Sequence, residues 1–192
     1  MALSKLALAS RALIKLGAQP IASFEEGSAE AQVAGLLFDP VRDALVSAHP
    51  WNFATAQASL PKLAAAPLAD FAHAYQLPAG FLRALSLGDR EAARGRGLDY
   101  RIHERRLHTN RDGVVLTYIF RPEESAFPPF FDMALIARLA AEFSLPLTEN
   151  TARTEALAKL AEAEFQRAKS IDAQEETPGA VEDWTLIAAR QA

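Results

Sequence analysis

Cysteine is absent from this 192-residue chain. Disulfides, thiolate nucleophiles and Cys-based zinc sites are therefore excluded. Histidine is scarce, with only His49, His73, His103 and His108, and none of them stands in an HExxH pattern, so no metal centre is expected. His103 and His108 read as surface residues. Long apolar runs are missing too. Lys5, Arg11 and Lys15 interrupt the N-terminal stretch, and no segment approaches the ~20 apolar residues of a bilayer span. A soluble protein made in the cytoplasm, with no membrane partner, is the expectation. The GxxxxGK[ST] phosphate loop and the GxSxG nucleophile elbow are both lacking, and Gly95-Arg96-Gly97 does not replace the first. Glu25-Glu26 precedes a helix and serves its dipole as readily as any acid–base role. No catalytic residue, cofactor or metal ligand is expected, and the chain reads as a non-enzyme.

What is present is a sequence that is 50% hydrophobic and of ordinary globular composition. Its charge is unevenly distributed. Residues 83–121 carry nine Arg against five acids, although the whole chain has a net charge of −4. Such asymmetry reads as a solvated Arg-rich sheet face, as a nucleic-acid-binding surface, or as one of two complementary faces on one subunit.

The order of elements follows from periodicity and punctuation. Residues 2–16 place Leu3, Leu6, Ser10, Leu13 and Ile14 on one helical face, with Gly17 at the position that ends the helix. Ser28 caps a second helix whose apolar face runs Val33, Leu36, Leu37, Val41, Leu45, Ala48. Pro40 predicts a kink or a restart there, with Asp39 as N-cap. Pro50 closes that helix. From residue 71 the pattern turns to strands: 71–77, Phe81–Leu87, Tyr100–His103, Arg105–Thr109 and Val114–Phe120, separated by Gly and Asn-Asp turns. Helical spacing returns at Phe131, with Met133, Ile136, Ala140 and Phe143 on one face and Leu145-Pro146 as the stop. A last helix follows Asn150 or Thr151, with Leu157, Leu160, Ala161, Phe165, Ala168 and Ile171 inward.

The expected fold is α+β. Residues 1–70 and 122–176 form an antiparallel helical bundle, 71–121 an inserted antiparallel β module, and 177–192 an extended C-terminal arm. Trp51 and Phe53 read as core aromatics beneath the Pro50 break. Trp184, Leu186 and Ile187 follow a Pro-Gly break in a polar arm, where an apolar cluster is expected to dock on a neighbouring subunit or a partner.

Several segments in order carry a likeness: Leu16-Gly17 with Pro20-Ile21, Ser23-Phe24-Glu25-Glu26, Arg42-Asp43 leading to His49–Ala54, Tyr75-Gln76-Leu77-Pro78, Tyr118-Ile119, Leu139–Glu142 and Ala168–Glu175. Together they resemble the head-to-tail adaptor family of short-tailed bacteriophages, the ring proteins also called tail tubular protein A. The resemblance implies a structural virion protein. Such a protein forms a twelve-subunit ring beneath the portal protein, extends the DNA channel without gripping the genomic DNA, and receives the tail nozzle or tail tube. It implies a place in the neck of the particle, reached through the host cytoplasm during assembly. Gly17, Pro20, Pro50, Trp51 and Phe53 are the structural motif, while Arg105, Arg106, Trp184, Leu186 and Ile187 are the expected subunit or portal contacts. The alternative reading is a nucleic-acid-binding module that uses the Arg-rich β segment, with Tyr100 and Tyr118 as stacking platforms.

Overall fold

The computed structural model describes residues 3–89 and 98–175. Helix α1 spans Lys5–Leu16. The Ser4 hydroxyl accepts the Ala7 amide at 3.2 Å, and Gly17 ends the helix at φ 85°. The Gly17 and Ala18 amides donate to Ile14 and Leu13, a Schellman termination that requires the left-handed conformation glycine takes at little cost. Helix α2 spans Ala29–Ala48, capped by Ser28 as its sequence predicts. His49 is extended, which the following Pro50 imposes.

Pro40 does not break α2, which runs through it without a restart. Proline removes one backbone bond, to the carbonyl of Leu36, but Leu36 is 75% exposed and water can take that bond. Asp39 is therefore no N-cap; its carboxylate reaches Lys5 at 2.8 Å and Arg42 at 3.1 Å. Pro146 likewise stays inside α3, Pro129–Thr148, which ends instead where Glu149 turns left-handed. Helix α4 spans Thr151–Asp172, with the Asn150 side chain accepting the Arg153 amide.

Among the described residues, six strands separate α2 from α3. β1 (Thr55–Ser59), β6 (Val114–Phe120) and β3 (Phe81–Asp89) form one antiparallel sheet in the order β1-β6-β3. β2 (His73–Gln76), β5 (Arg106–Thr109) and β4 (Arg101–His103) form a second, in the order β2-β5-β4. The chain is thus α+β. One boundary differs from expectation. β1 lies within the stretch read as helical, yet Thr55–Ser59 pairs in register with Val115–Ile119. Its Thr-Ala-Gln-Ala-Ser sequence has little β propensity, and pairing with the apolar β6 decides its conformation.

The layers follow from the two faces of β6. Ile119 joins the helical core, with Leu13, Phe38, Trp51, Phe131 and Leu135. Val114, Leu116 and Tyr118 join a second core, with Tyr75, Leu87 and Leu107. The first sheet is therefore sandwiched between the helices and the second sheet. α3 is the central helix, with α1, α2 and α4 all packed on it.

Helix faces depart from the sequence reading where alanine carries the burial. α1 turns Leu8, Ala9, Ala12, Leu13 and Leu16 inward, leaving Ile14 59% exposed. Met133, Leu36 and Leu160, expected inward, are exposed. No helix among the described residues is long and apolar enough to cross a membrane.

Candidate interaction surface

Trp51 lies at the junction of the two ends of the helical body. Its side chain is fully buried, with ring centroids of His49, Phe131 and Phe165 at 4.8, 5.1 and 5.8 Å. The indole N–H donates to the Leu45 carbonyl at 3.2 Å, which satisfies both the ring and one of the carbonyls left open at the end of α2. Phe53 packs on Phe127 and Phe131 in the same cluster. Trp51 and Phe53 are thus core residues.

Beside them, Asp172 is buried at the C-terminal end of α4. It accepts the Asn52 amide at 3.1 Å, and the Asn52 side chain donates to the Asp172 carbonyl at 2.9 Å. His49 Nε2 stands 3.5 Å from the Asp172 carboxylate. Burial depresses the His49 pKa below its ordinary value, against the pull of Asp172.

A second polar cluster joins helices to sheet. Arg42 is buried and spans Asp39, Asp43 and Glu124, with its Nη1 2.7 Å from Glu124 Oε1. Arg121, just after β6, clamps Asp43 through both Nε and Nη2. Burial raises the Asp39 carboxyl, but Lys5 and Arg42 outweigh it and hold the pKa below the usual carboxylate value. These groups neutralise one another, so the cluster fastens elements together. Among the described residues, no group of three His, Asp or Glu is placed to hold a metal ion.

The surface with unspent charge is the outer face of the second sheet. Residues opposite one another on adjacent antiparallel strands share a face. Arg101 opposes His108, and His103 opposes Arg106, so four basic or imidazole side chains project from one side. Leu107, between two of them, points the other way and is fully buried. The loop 63–71 runs beside that face and encloses a cleft of about 500 Å³ walled by Pro67, Leu68 and Phe71. Arg101 is held there by Asp70 at 2.9 Å and lies over the Phe71 ring. Leu68 has no cover at all.

Arg105 and Arg106, named together from the sequence, are separated by the hairpin. Glu104 and Arg105 form its two-residue turn at φ 48° and 59°, the I′ conformation that non-glycine residues adopt at a cost. Arg106 lines the cationic cleft, while Arg105 borders a different groove with Pro78, Phe81 and Ile102. The stacking platforms of the alternative reading are not open. Tyr118 is buried against Phe81, and Tyr100 packs on the second core. Gly17 and Pro50 stand at the ends of α1 and α2, and Pro20 lies in the non-helical segment between those helices, whereas Trp184, Leu186 and Ile187 lie outside the described residues. The cleft was not legible in the sequence, although the alternation Arg101-x-His103 and Arg106-x-His108 signals a shared face. Set against known proteins, the chain matches no family model and no curated protein.

Proposed function

We propose that this chain is a structural subunit of a phage head-to-tail adaptor. Copies of it would assemble into a ring beneath the portal protein, extend the DNA channel and receive the tail. The observation that carries the reading is what the resembling segments do. His49–Ala54 and Ala168–Glu175, 120 residues apart, meet through Asn52 and Asp172. Arg42-Asp43 builds the charged cluster, Gly17 ends α1, and Tyr75 fills the second core. The likeness thus falls on residues that fix the architecture; the His49–Asp172 contact among them lies at the same junction, where Asp172 also accepts the Asn52 amide. A cationic sheet face on an otherwise acidic chain adds the two unlike surfaces that head-to-tail ring contacts need.

The test is negative-stain imaging and native mass spectrometry of the purified chain, alone and mixed with the portal protein encoded in the same genome. Rings, or a stoichiometric portal complex, are expected. A protein that stays monomeric with its portal, yet binds duplex DNA with a steep salt dependence, would overturn the adaptor reading in favour of nucleic-acid binding.

A further inference from the structure

The cleft between loop 63–71 and the outer face of the β2-β5-β4 sheet combines two features that rarely meet on a bare surface. Its floor carries more basic than acidic groups: Arg106 forms no ion pair among the described residues, His108 lies beside it, Arg101 is tethered to Asp70, and His103 stands 3.9 Å from Glu104 at the rim. Its wall is apolar, with Pro67 and Phe71 half-buried and Leu68 fully exposed. A complementary occupant carries carboxylates next to bulky apolar side chains. Outside the described residues the chain carries one such segment, Glu182-Asp183-Trp184-Thr185-Leu186-Ile187. It begins ten residues beyond Asp172, where α4 ends against Asn52.

We propose that the cleft is the seat for residues 182–187 of a second copy of this chain. The Glu182 and Asp183 carboxylates lie over Arg106 and His108, and Trp184 and Leu186 cover Leu68, Pro67 and Phe71. Charge complementarity sets the register, and the desolvated aromatic supplies most of the affinity. The contact is heterologous, the arm of one copy on the sheet of the next, so repetition closes a ring or runs on as a filament. The choice of a second copy as donor rests on the ring reading; the chemistry of the cleft does not.

The probe is a fluorescein-labelled peptide of residues 178–192, titrated with the full-length protein and read by anisotropy. Binding is expected to weaken tenfold or more in the Arg106→Glu variant, and again for a peptide carrying Trp184→Ala. A peptide with Glu182→Lys and Asp183→Lys should bind Arg106→Glu better than wild type, a charge swap that mere unfolding cannot produce. Leu68→Ser, at a fully exposed position, provides a second variant that leaves the cores untouched and should also weaken binding. The proposal is overturned by a peptide that binds all variants alike, that shows no binding at millimolar protein, or whose swapped form shows no preference. Displacement by random-sequence duplex DNA at lower concentration than unlabelled peptide would also overturn it, marking the face as a polyanion surface. Cross-links from position 184 to position 68 found only within single chains would refute the second-copy assignment. The peptide assay needs neither portal nor ring. Rings without peptide binding sink this contact alone, and peptide binding without rings sinks the adaptor reading alone.

Discussion

Replacing Trp51 with alanine tests the junction at the centre of the helical body. The side chain is fully buried among Phe53, Phe130, Phe131, Phe165 and His49, so truncation opens a cavity that five rings cannot all collapse to fill. Core Trp→Ala changes cost about 3–5 kcal/mol. The Leu45 carbonyl also loses its indole donor, which adds about 1 kcal/mol. A loss of about 4–6 kcal/mol consumes much of the ~5–15 kcal/mol by which a domain is stable. In a chain of this length each kcal/mol moves Tm by roughly 2–4 °C, so Trp51→Ala should melt about 10–20 °C below wild type. Trp51→Phe, which keeps an aromatic filler but not the N–H, should fall in between. Thermal melts followed by far-UV circular dichroism measure both. An alanine variant with unchanged Tm but impaired self-association would show that Trp51 acts at an interface and that the packing argument is wrong.

Other perturbations probe the polar framework. Asp132, in the first turn of α3, is buried with one carboxylate oxygen lacking a hydrogen bond, and burial lifts its pKa to about 6 against the opposing pull of Arg11. The folded state then binds this proton more tightly than the unfolded chain, so the stability this carboxyl contributes is greatest below about pH 4 and is lost as pH rises through about 6. Asp132→Asn should stabilise by about 1–2 kcal/mol at pH 7.5 and by almost nothing at pH 4; equal effects at both pH values would exclude the titration. Arg42→Met should cost about 3–5 kcal/mol in urea unfolding, because Asp39, Asp43 and Glu124 keep their charges without the cation between them. A near-neutral outcome there would mean that Lys5 and Arg121 already balance the acids. In the β4–β5 turn, Glu104→Asn with Arg105→Gly should raise stability by about 1 kcal/mol by relieving two left-handed residues, and a lower Tm would contradict the turn geometry.

Punctuation residues made much of this fold legible. Ser28, Pro50 and Asn150 act locally, and their helix ends fall where expected; Val114–Phe120 is a strand by composition alone. The errors arose where tertiary packing overruled a local rule. Pro40 and Pro146 sit in helices whose flanking turns are anchored on neighbouring helices, so one missing backbone bond is tolerated. The inward face of α1 was misplaced because Ala9 and Ala12 count as neutral in a hydropathy pattern yet permit close helix approach. The Asn52–Asp172 and Arg121–Asp43 contacts join residues 120 and 78 positions apart, and single-sequence spacing says nothing about such pairs. The cationic cleft depends on strand register, which emerges only once β5 is placed between β2 and β4.

The central position of α3 also sets a schedule for synthesis. α1 and α2 pack on α3 far more than on each other, so their apolar faces find their main partner only when that helix exists. α2 ends at Ala48 and α3 begins at Pro129, an interval of about 80 residues. At roughly 5–20 residues per second, the nascent chain holds Phe38, Leu45 and Trp51 without their cover for about 4–16 s before α3 even begins. The six strands are made during that wait, with the helical face of β6 equally uncovered. Growing chains of this protein should therefore be chaperone clients until residue 148 has left the ribosome, and released chains should not.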